Sequence, residues 1–245
     1  MMLQPNQAAK KIENWIINKV EEANGKGVVY GLSGGLDSAV VAVLCKRAFG
    51  ERSTAVIMPC NGSKEDFEHA NLLVKTFELP HKFLDLSNIY DIMVASLDHQ
   101  LMGSGSELGN AKINLKPRLR MSVLYYLAAA LGYLVVGTGN KSEIEIGYFT
   151  KYGDGGVDLE PIGHLLKEEV KELAVYLKIP EVIISKQPTA GLWEGQTDEQ
   201  ELGFSYAELD KYLKQGIGSK EIKKKIELLR RNSQHKRQMP PMPEF

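Results

Sequence analysis

The chain has 245 residues, 43% of them hydrophobic, which suffices for one large α/β domain and argues against a disordered protein. Its 30 basic and 31 acidic residues leave a net charge of -1, which argues against a broad nucleic-acid-binding surface. The chain has two isolated cysteines, Cys45 and Cys60, as is usual in the reducing cytoplasm, and its polar N-terminal segment shows no signal peptide or membrane span. We therefore expect a cytoplasmic protein with no nucleic-acid or membrane partner.

The first half of the chain alternates between short apolar runs and amphipathic segments. The predicted elements are a helix over 4–23, a strand over 27–32, a helix ending near 50, a strand over 54–58, a helix from 63 to about 79, a strand over 81–86 and a helix over 89–97. Strands that alternate with helices predict an α/β fold with a doubly wound, mostly parallel sheet flanked by helices, as in Rossmann-like proteins.

The second half contains a fourth strand and a long polar segment. The predicted elements are a link over 103–110, a helix over 118–131 with Pro117 at its start or at a kink, a strand over 133–136, a helix from 141, a break at 152–156, and helices over 167–177, 205–214 and 219–231. Residues 188–203 have few large apolar side chains, which predicts a flexible lid. Because no repeat or boundary interrupts the pattern, we expect residues 1–245 to form a single domain.

A glycine-rich stretch joins the first predicted strand to the next helix. Residues 27–38 read GVVYGLSGGLDS, a strand followed by a turn and a helix N-terminus, where free N–H groups and the helix dipole bind anions. Asp37 beside a phosphate makes chemical sense if a divalent cation lies between them. Two other interpretations remain, a nucleophile elbow with Ser33 in Gly-x-Ser-x-Gly and a plain tight turn, while the Walker pattern is absent.

A second polar stretch follows the fourth predicted strand. Residues 137–143 read GTGNKSE, and because parallel strands end at the same edge of a sheet, Thr138 and Glu143 are expected near Ser33 and Asp37. One interpretation is a helix cap with an acidic residue in the first turn. The interpretation that we favour is that Asp37 and Glu143 hold one Mg²⁺ ion beside nucleotide phosphates, since oxygen ligands supplemented by phosphate and water suit magnesium.

Several longer strings carry a family resemblance. The loop SGGLDS at 33–38 resembles the pyrophosphate-binding loop of the N-type ATP pyrophosphatases. Further matching strings follow in order, namely KPRLRM at 116–121, FTKYGDG at 149–155, KQPTA at 186–190, QTDEQELG at 196–203 and HKRQ at 235–238. Together they are spread from Ser33 to Gln238, over most of the chain, which thereby resembles the NAD synthetases and their adenine nucleotide alpha hydrolase-like fold.

The resemblance implies a ligase that completes NAD biosynthesis. ATP would adenylylate the carboxylate of deamido-NAD with release of pyrophosphate, and ammonia would then displace AMP to give NAD. The implied catalytic residues are Asp37, Lys167 and Asp158, and the implied Mg²⁺ ligands are Asp37 and Glu143. The implied ATP contacts are Gly31, Leu32, Ser33, Gly34, Gly35, Leu36, Asp37, Ser38, Thr138, Lys167 and Thr189. The implied deamido-NAD contacts are Arg118, Lys151, Asp158, His235 and Lys236.

The resemblance also bears on the nitrogen source and on assembly. A glutamine-dependent enzyme needs an extra amidotransferase domain, for which 245 residues leave no room, so free ammonia or a separate partner protein is expected to supply nitrogen. The family implies a homodimer with deamido-NAD near the subunit boundary. The helix over 118–131 is apolar on several faces, which predicts burial on every side, either at that boundary or inside the monomer.

Other functions remain open at this point. Related adenylylating enzymes share the loop, but thiolation needs a suitably placed cysteine and tRNA modification needs a more basic surface. An α/β-hydrolase would use Ser33 as its nucleophile with His164 or His235 as base, although nothing in that chemistry requires Asp37 or Glu143. A non-catalytic nucleotide sensor is a third class, which ATP binding without turnover would support.

Overall fold

The fold is a parallel sheet with helices on both faces. The computed structural model describes residues 4–101, 108–189 and 197–243. The strands are β1 (Gly27–Gly31), β2 (Ser53–Ile57), β3 (His81–Phe83) and β4 (Tyr133–Val136). The helices are α1 (Pro5–Glu22), α2 (Leu36–Phe49), α3 (Lys64–Phe77), α4 (Ser87–Gln100), α5 (Leu108–Leu131), α6 (Lys141–Ile146), α7 (Lys167–Tyr176), α8 (Glu181–Ile184), α9 (Asp198–Leu202), α10 (Tyr206–Gln215) and α11 (Lys220–Asn232).

The sheet confirms the predicted fold class. Within the described residues its strand order is β3-β2-β1-β4, and each neighbouring pair is parallel. The chain moves outward from β1 through β2 to β3 and then crosses to β4 on the other side of β1, so the strand order reverses beside β1. In open α/β sheets, ligands bind outside the carboxyl ends of the strands at such a reversal. The loops after β1 and β4 lie at that place.

Successive residues of β1 point to opposite faces of the sheet, as the pleat requires. Val28 and Tyr30 belong to a buried cluster with α1, α2 and α7, whereas Val29 belongs to a second cluster with α5. A third, smaller cluster lies away from the sheet, where α6 packs against α10 and α11 through residues such as Ile146 and Ile226. The two main clusters hold the sheet between layers of helices, while the third holds the C-terminal helices beside the carboxyl edge.

The helix α5 and the strand β3 differ from the predictions. Helix α5 begins at Leu108, inside the predicted link, and contains Pro117 in its interior, while residues 102–107 lie outside the described chain. The small, polar residues at 103–110 and Pro117 hide the start of this helix from sequence patterns, and packing of α5 on β1 and β4 compensates for the hydrogen bond that proline lacks. The predicted strand over 81–86 ends at Phe83, although the amides of Leu84 and Leu86 still donate to the backbone oxygens of Ile57 and Pro59.

The predicted lid over 188–203 is partly a helix. Residues 198–202 form α9, in which Asp198 and Leu202 are buried, whereas residues 190–196 lie outside the described chain. Leu202 joins the third cluster, which explains how a segment with so few apolar residues becomes helical. The lid remains a prediction for the rest of the stretch. Separately, none of the helices in the described residues is long and apolar enough to span a membrane.

Candidate active site

The loop after β1 is built around a glycine that no other residue can replace. Gly34 has a φ of +82°, and a Cβ atom there would lie 2.3 Å from the backbone oxygen of Asp66 at the start of α3. The Ser33 and Ser38 hydroxyl oxygens lie 3.0 Å apart, and the amide of Gly35 donates to Ser33 Oγ at 3.2 Å. In the described chain, no histidine ring hydrogen-bonds to Ser33, which argues against the nucleophile elbow.

The loop after β4 is joined to the first loop by Asn140. Asn140 caps α6, because its Oδ1 accepts from the amide of Glu143 at 3.1 Å while Glu143 Oε2 accepts from the amide of Asn140 at 3.4 Å. The side-chain amide of Asn140 also donates to Asp37 Oδ1 at 3.0 Å. One capping residue thus fixes the acidic residues of both loops.

Lys167, the first residue of α7, connects the two acidic residues directly. Its ammonium Nζ lies 2.6 Å from Asp37 Oδ2 and 2.9 Å from Glu143 Oε1, and only 9% of the residue is exposed. The start of α7 is held by buried polar groups, since Ser142 Oγ accepts from the Lys167 amide at 3.0 Å and Asp210 accepts from the Glu168 amide at 2.9 Å. Three residues that the family resemblance assigned to ATP and metal therefore meet at the carboxyl edge of the sheet.

The charges of this trio shift one another's pKa values. Burial raises the pKa of Glu143 to about 7, with Lys167 opposing the rise and Asp37 adding to it. Burial works to lower the pKa of Lys167, but the charges of Asp37 and Glu143 outweigh it, so the pKa of the ammonium lies above its usual value. A firmly charged ammonium between two acidic groups leaves the site short of positive charge, which a bound cation would supply.

The donor set suits magnesium as a partner of phosphate. Asp37 and Glu143 offer hard carboxylate oxygens, as Mg²⁺ prefers, and Mg²⁺ is commonly bound by one or two carboxylates together with substrate phosphates. Within the described residues, no group of three or more His, Cys, Asp or Glu side chains could hold a metal by itself. A cation here would therefore depend on oxygen atoms from a nucleotide and from water.

Two tyrosines, Tyr206, which is buried, and Tyr148, which is partly buried, extend the trio towards α9. The Tyr206 hydroxyl lies 3.0 Å from Asp198 Oδ2 and 3.3 Å from Glu143 Oε1, and the Lys167 ammonium lies 4.9 Å from the centre of the Tyr206 ring. The Tyr148 hydroxyl donates to the other Asp198 oxygen at 3.1 Å. Burial, followed by the charges of Glu143 and Asp198, raises the pKa of Tyr206, so this hydroxyl remains a hydrogen-bond donor.

Thr138 lies between two glycines that close over a buried carboxyl group. A Cβ atom on Gly137 would lie 2.5 Å from the carboxyl carbon of Glu160, and the amide of Gly139 donates to Glu160 Oε2 at 3.1 Å. Burial raises the pKa of Glu160 to about 8. The two glycines are therefore needed for close packing, which leaves Thr138 partly exposed at the strand end. Thr189 is the last residue of the described range 108–189.

Four of the five residues that the resemblance assigned to deamido-NAD form a second cluster. Arg118 donates to the backbone oxygen of Lys151 over 3.4 Å, and Lys151 Nζ donates to the backbone oxygen of His235 at 2.6 Å. Lys236 Nζ donates to the oxygens of Gly147 at 2.8 Å and Phe149 at 2.7 Å. The C-terminal segment is thus fastened to the loop that follows α6.

Asp158 lies apart from that cluster. Its Oδ2 accepts from the amide of Val135 in β4 at 2.8 Å, and its Oδ1 accepts from the Tyr125 hydroxyl at 3.0 Å. The carboxylate therefore ties the loop after Gly156 to both β4 and α5. Burial, with a contribution from Asp158, raises the pKa of Tyr125 to about 12.

Sequence reasoning missed three residues of the site. Asn140 could have been found, because Asn-x-x-Glu before a helix is a capping-box pattern. Asp198 and Tyr206 lie far along the chain, in a stretch that we interpreted only as lid and helix, and no local pattern connects them to Glu143. Their burial, with 3% of Asp198 and 5% of Tyr206 exposed, is what distinguishes them in the structure.

Comparisons with known sequences point in one direction. The sequence profile of a family described as NAD synthase matches residues 8–240. The NH(3)-dependent NAD(+) synthetase of Carboxydothermus hydrogenoformans is 51% identical over 237 residues, which cover 97% of each chain. The enzyme of that name from Syntrophomonas wolfei is 46% identical over 240 residues, which cover 98% of this chain and 96% of its own.

Solved structures of an NMN synthetase and of NAD synthetases superpose on this chain. An NMN synthetase from Francisella tularensis superposes with a TM-score of 0.93 at 36% identity over the whole of both chains. An NH3-dependent NAD synthetase from Campylobacter jejuni superposes with a TM-score of 0.79 at 32% identity, over 99% of this chain and 100% of its own. A glutamine-dependent NAD+ synthetase from Acinetobacter baumannii gives a TM-score of 0.72 at 27% identity, and the match covers 48% of that longer chain.

Proposed function

The chain belongs to the NAD synthase family, and we propose that it makes NAD from deamido-NAD, ATP and ammonia. It is a ligase that forms a carbon–nitrogen bond. The observation that carries the proposal is the meeting of Asp37, Glu143 and Lys167 beside an anion-binding loop, in a chain that matches the family over residues 8–240. An enzyme that adenylylates a carboxylate must hold triphosphate, cation and acceptor at one place, and this edge of the sheet provides it.

Adenylylation requires that two anions approach each other. The carboxylate oxygen of deamido-NAD attacks the α-phosphorus of ATP and pyrophosphate leaves; ammonia then attacks the acyl carbon, AMP leaves and a proton is lost. The N–H groups and hydroxyls of the 33–38 loop bind phosphate oxygens, and Lys167 offsets charge that develops on them. Asp37 and Glu143 would hold Mg²⁺, which would supply further charge neutralisation at the phosphates.

The second cluster supports a role in binding deamido-NAD. An ammonium has three donors, of which Lys236 uses two and Lys151 one in the hydrogen bonds to backbone oxygens described above. Both lysines therefore keep donors for a phosphate, while Arg118 is exposed and holds its backbone partner only weakly, at 3.4 Å. Asp158, committed to Val135 and Tyr125, supports this region by positioning α5 against β4.

The nitrogen source is tested by an assay of two half reactions. We expect pyrophosphate release when ATP and deamido-NAD are mixed with Mg²⁺, and NAD formation when ammonium is added. Glutamine as sole nitrogen source should give less than a tenth of the ammonium rate, because the relatives that the chain matches at 51% and 46% identity are NH(3)-dependent enzymes. The measurement is NAD formed per enzyme at equal nitrogen concentration. Comparable rates with glutamine would contradict ammonia dependence.

A mononucleotide is a second candidate substrate. It is favoured by the Francisella tularensis structure, which superposes better than the Campylobacter jejuni enzyme, with TM-scores of 0.93 and 0.79. The two candidates share the amidation chemistry and differ in whether an AMP unit extends from the substrate. Competition between deamido-NAD and the deamidated form of NMN, with both products measured by chromatography, decides between them.

We propose that the chain forms a homodimer through the face made by β3, α4 and α5. Apolar side chains on this face are exposed, among them Phe83, Ile89, Ile92, Leu97 and Tyr126. Tyr126 is 76% exposed, so the prediction that the helix over 118–131 is buried on every side is wrong for a single chain. Such a patch is typical of a protein interface. Because Arg118 and Tyr126 lie about 12 Å apart along α5, the second cluster adjoins this face.

The dimer is tested by placing charge on this face. Replacing Tyr126 and Ile92 together with glutamate should convert the dimer into a 27.2 kDa particle at micromolar concentration, because unpaired carboxylates oppose burial of the patch. Light scattering coupled to gel filtration measures the mass. The matched control is Val175→Glu, since Val175 is also exposed but lies on α7. A wild-type protein that is monomeric under these conditions would contradict the proposal.

A further inference from the structure

The hydroxyl of Tyr206 lies between two buried carboxylates. It is 3.0 Å from Asp198 Oδ2 and 3.3 Å from Glu143 Oε1. A phenol has one proton, so the hydroxyl can donate fully to one of the two acids at a time. This hydroxyl therefore contacts both acids at once, while Glu143 also has the Lys167 ammonium as a donor.

The two carboxylates have different surroundings. Glu143 Oε1 also receives the Lys167 ammonium at 2.9 Å and belongs to the proposed Mg²⁺ site. The Tyr148 hydroxyl lies 3.1 Å from Asp198 Oδ1 and 2.8 Å from Glu201 Oε2, and the backbone amide of Asp198 donates to the oxygen of Pro188 at 3.0 Å. Pro188 directly precedes Thr189, the proposed ATP contact. Asp198 is therefore fixed to the segment that contacts ATP, and Glu143 to the cation.

We propose that Tyr206 is a positioning residue whose hydroxyl holds Glu143 ready for the cation and couples it, through Asp198, to the chain at 188–189. This inference rests on the proposed function, in which Asp37 and Glu143 hold Mg²⁺ and Thr189 contacts ATP. When a cation binds Glu143, the Tyr206 hydroxyl keeps its hydrogen bond to Asp198 and the ring stays beside the Lys167 ammonium, so the residue that lies against Glu143 does not move. Through the Tyr206 hydroxyl, binding of the cation then raises the affinity for ATP, and binding of ATP raises the affinity for the cation.

The substitution Tyr206→Phe removes one oxygen and keeps the ring. We expect the dissociation constant of Mn²⁺, measured by electron paramagnetic resonance with a non-hydrolysable ATP analogue present, to rise about tenfold, as loss of a hydrogen bond to a charged group implies. The matched control is Tyr212→Phe on the same helix α10. The Tyr212 hydroxyl donates to Glu227 at 2.7 Å on the surface, so this variant should bind Mn²⁺ as the wild type does.

A double-mutant cycle distinguishes coupling of Asp198 to the cation site through Tyr206 from a general loss of structure in the variants. Asp198→Asn should change the Mn²⁺ dissociation constant at least threefold in the wild-type background and less than twofold in the Y206F background, because the hydroxyl transmits its effect. Equal effects in both backgrounds would overturn the coupling. If Y206F does not fold, as judged by circular dichroism, D198N alone decides, and a change below twofold then overturns the inference.

The outcomes also distinguish this inference from the proposed function. Wild-type protein that does not bind Mn²⁺ in the presence of the ATP analogue would contradict the proposed cation site itself. Wild-type protein that binds Mn²⁺, with Y206F binding it within twofold as tightly, would leave the proposed function intact and overturn the role of Tyr206.

Discussion

Replacing Lys167 with methionine is expected to lower turnover at least a hundredfold and to destabilise the fold when magnesium is absent. The Lys167 ammonium lies 2.6 Å from Asp37 and 2.9 Å from Glu143, and all three side chains are largely buried. Removing one preorganised charged donor from a phosphate-handling site costs about 10²–10³-fold in rate. Breaking a buried ion pair by removing one partner costs about 3–5 kcal/mol, because the remaining charges lose their compensation.

Magnesium should partly reverse the loss of stability in K167M. A divalent cation between Asp37 and Glu143 replaces the missing positive charge, so Mg²⁺ should raise the Tm of K167M more than that of the wild type. Calorimetry with and without Mg²⁺ measures this, and pyrophosphate release measures turnover. The matched control is Lys46→Met, which breaks a surface pair with the exposed Glu51 and should cost about 0–1 kcal/mol. Similar losses in both variants would contradict the role given to Lys167.

The second large effect is expected from Gly147→Ala, which should prevent the loop after α6 from packing on the C-terminal segment. Gly147 has a φ of +69°, and a Cβ atom there would lie 2.0 Å from the Cβ of Ser233. The left-handed conformation costs alanine about 1–2 kcal/mol, and overpacking a buried contact adds about 1–3 kcal/mol. Ser233 is itself buried and bonded to Leu229, so it has no room to move.

Gly216→Ala is the control that isolates the steric part. Gly216 has the same φ of +69°, but a Cβ atom there would meet nothing within 4 Å. It should therefore cost only the conformational term, about 1–2 kcal/mol. Urea unfolding of both variants gives the two free energies, and NAD formation shows whether the loop still binds substrate. If both alanines cost the same, contact between Gly147 and Ser233 is not a constraint on the fold.

The architecture of the sheet could be predicted because its causes are local. Alternation of apolar strands with helices predicted the parallel sheet, and the rule that ligands gather at carboxyl strand ends placed Asp37 and Glu143 near each other. The start of α5 was missed because residues 103–110 are small and polar and Pro117 follows soon after, and both features are typical of a link or of a helix start. Local sequence patterns therefore predict the strands better than they predict the limits of α5, the helix that packs on β1 and β4.

The details of the site could not be predicted because their causes are distant in sequence. Lys167 is 130 residues from Asp37, and Tyr206 is 63 residues from Glu143. The family resemblance placed Lys167 near ATP without showing that it joins the two acids. Asp198 lay in a segment that sequence composition describes only as polar. A buried acid between two tyrosines becomes visible only when the third hydrophobic cluster brings α6, α9 and α10 together.

The fastening of the C-terminal segment to the loop after α6 has a consequence for protein synthesis. Lys236 donates to Gly147 and Phe149 across 89 and 87 residues, and Arg237 donates to Ile144 across 93 residues. Because the ribosome releases the chain from its N-terminus, all four strands emerge and can pair long before these donors exist. A truncated product would carry a complete sheet and an unfinished loop. Only translation through residue 237 supplies these donors, so a product that ends earlier lacks the contacts that hold the loop after α6 to the C-terminal segment.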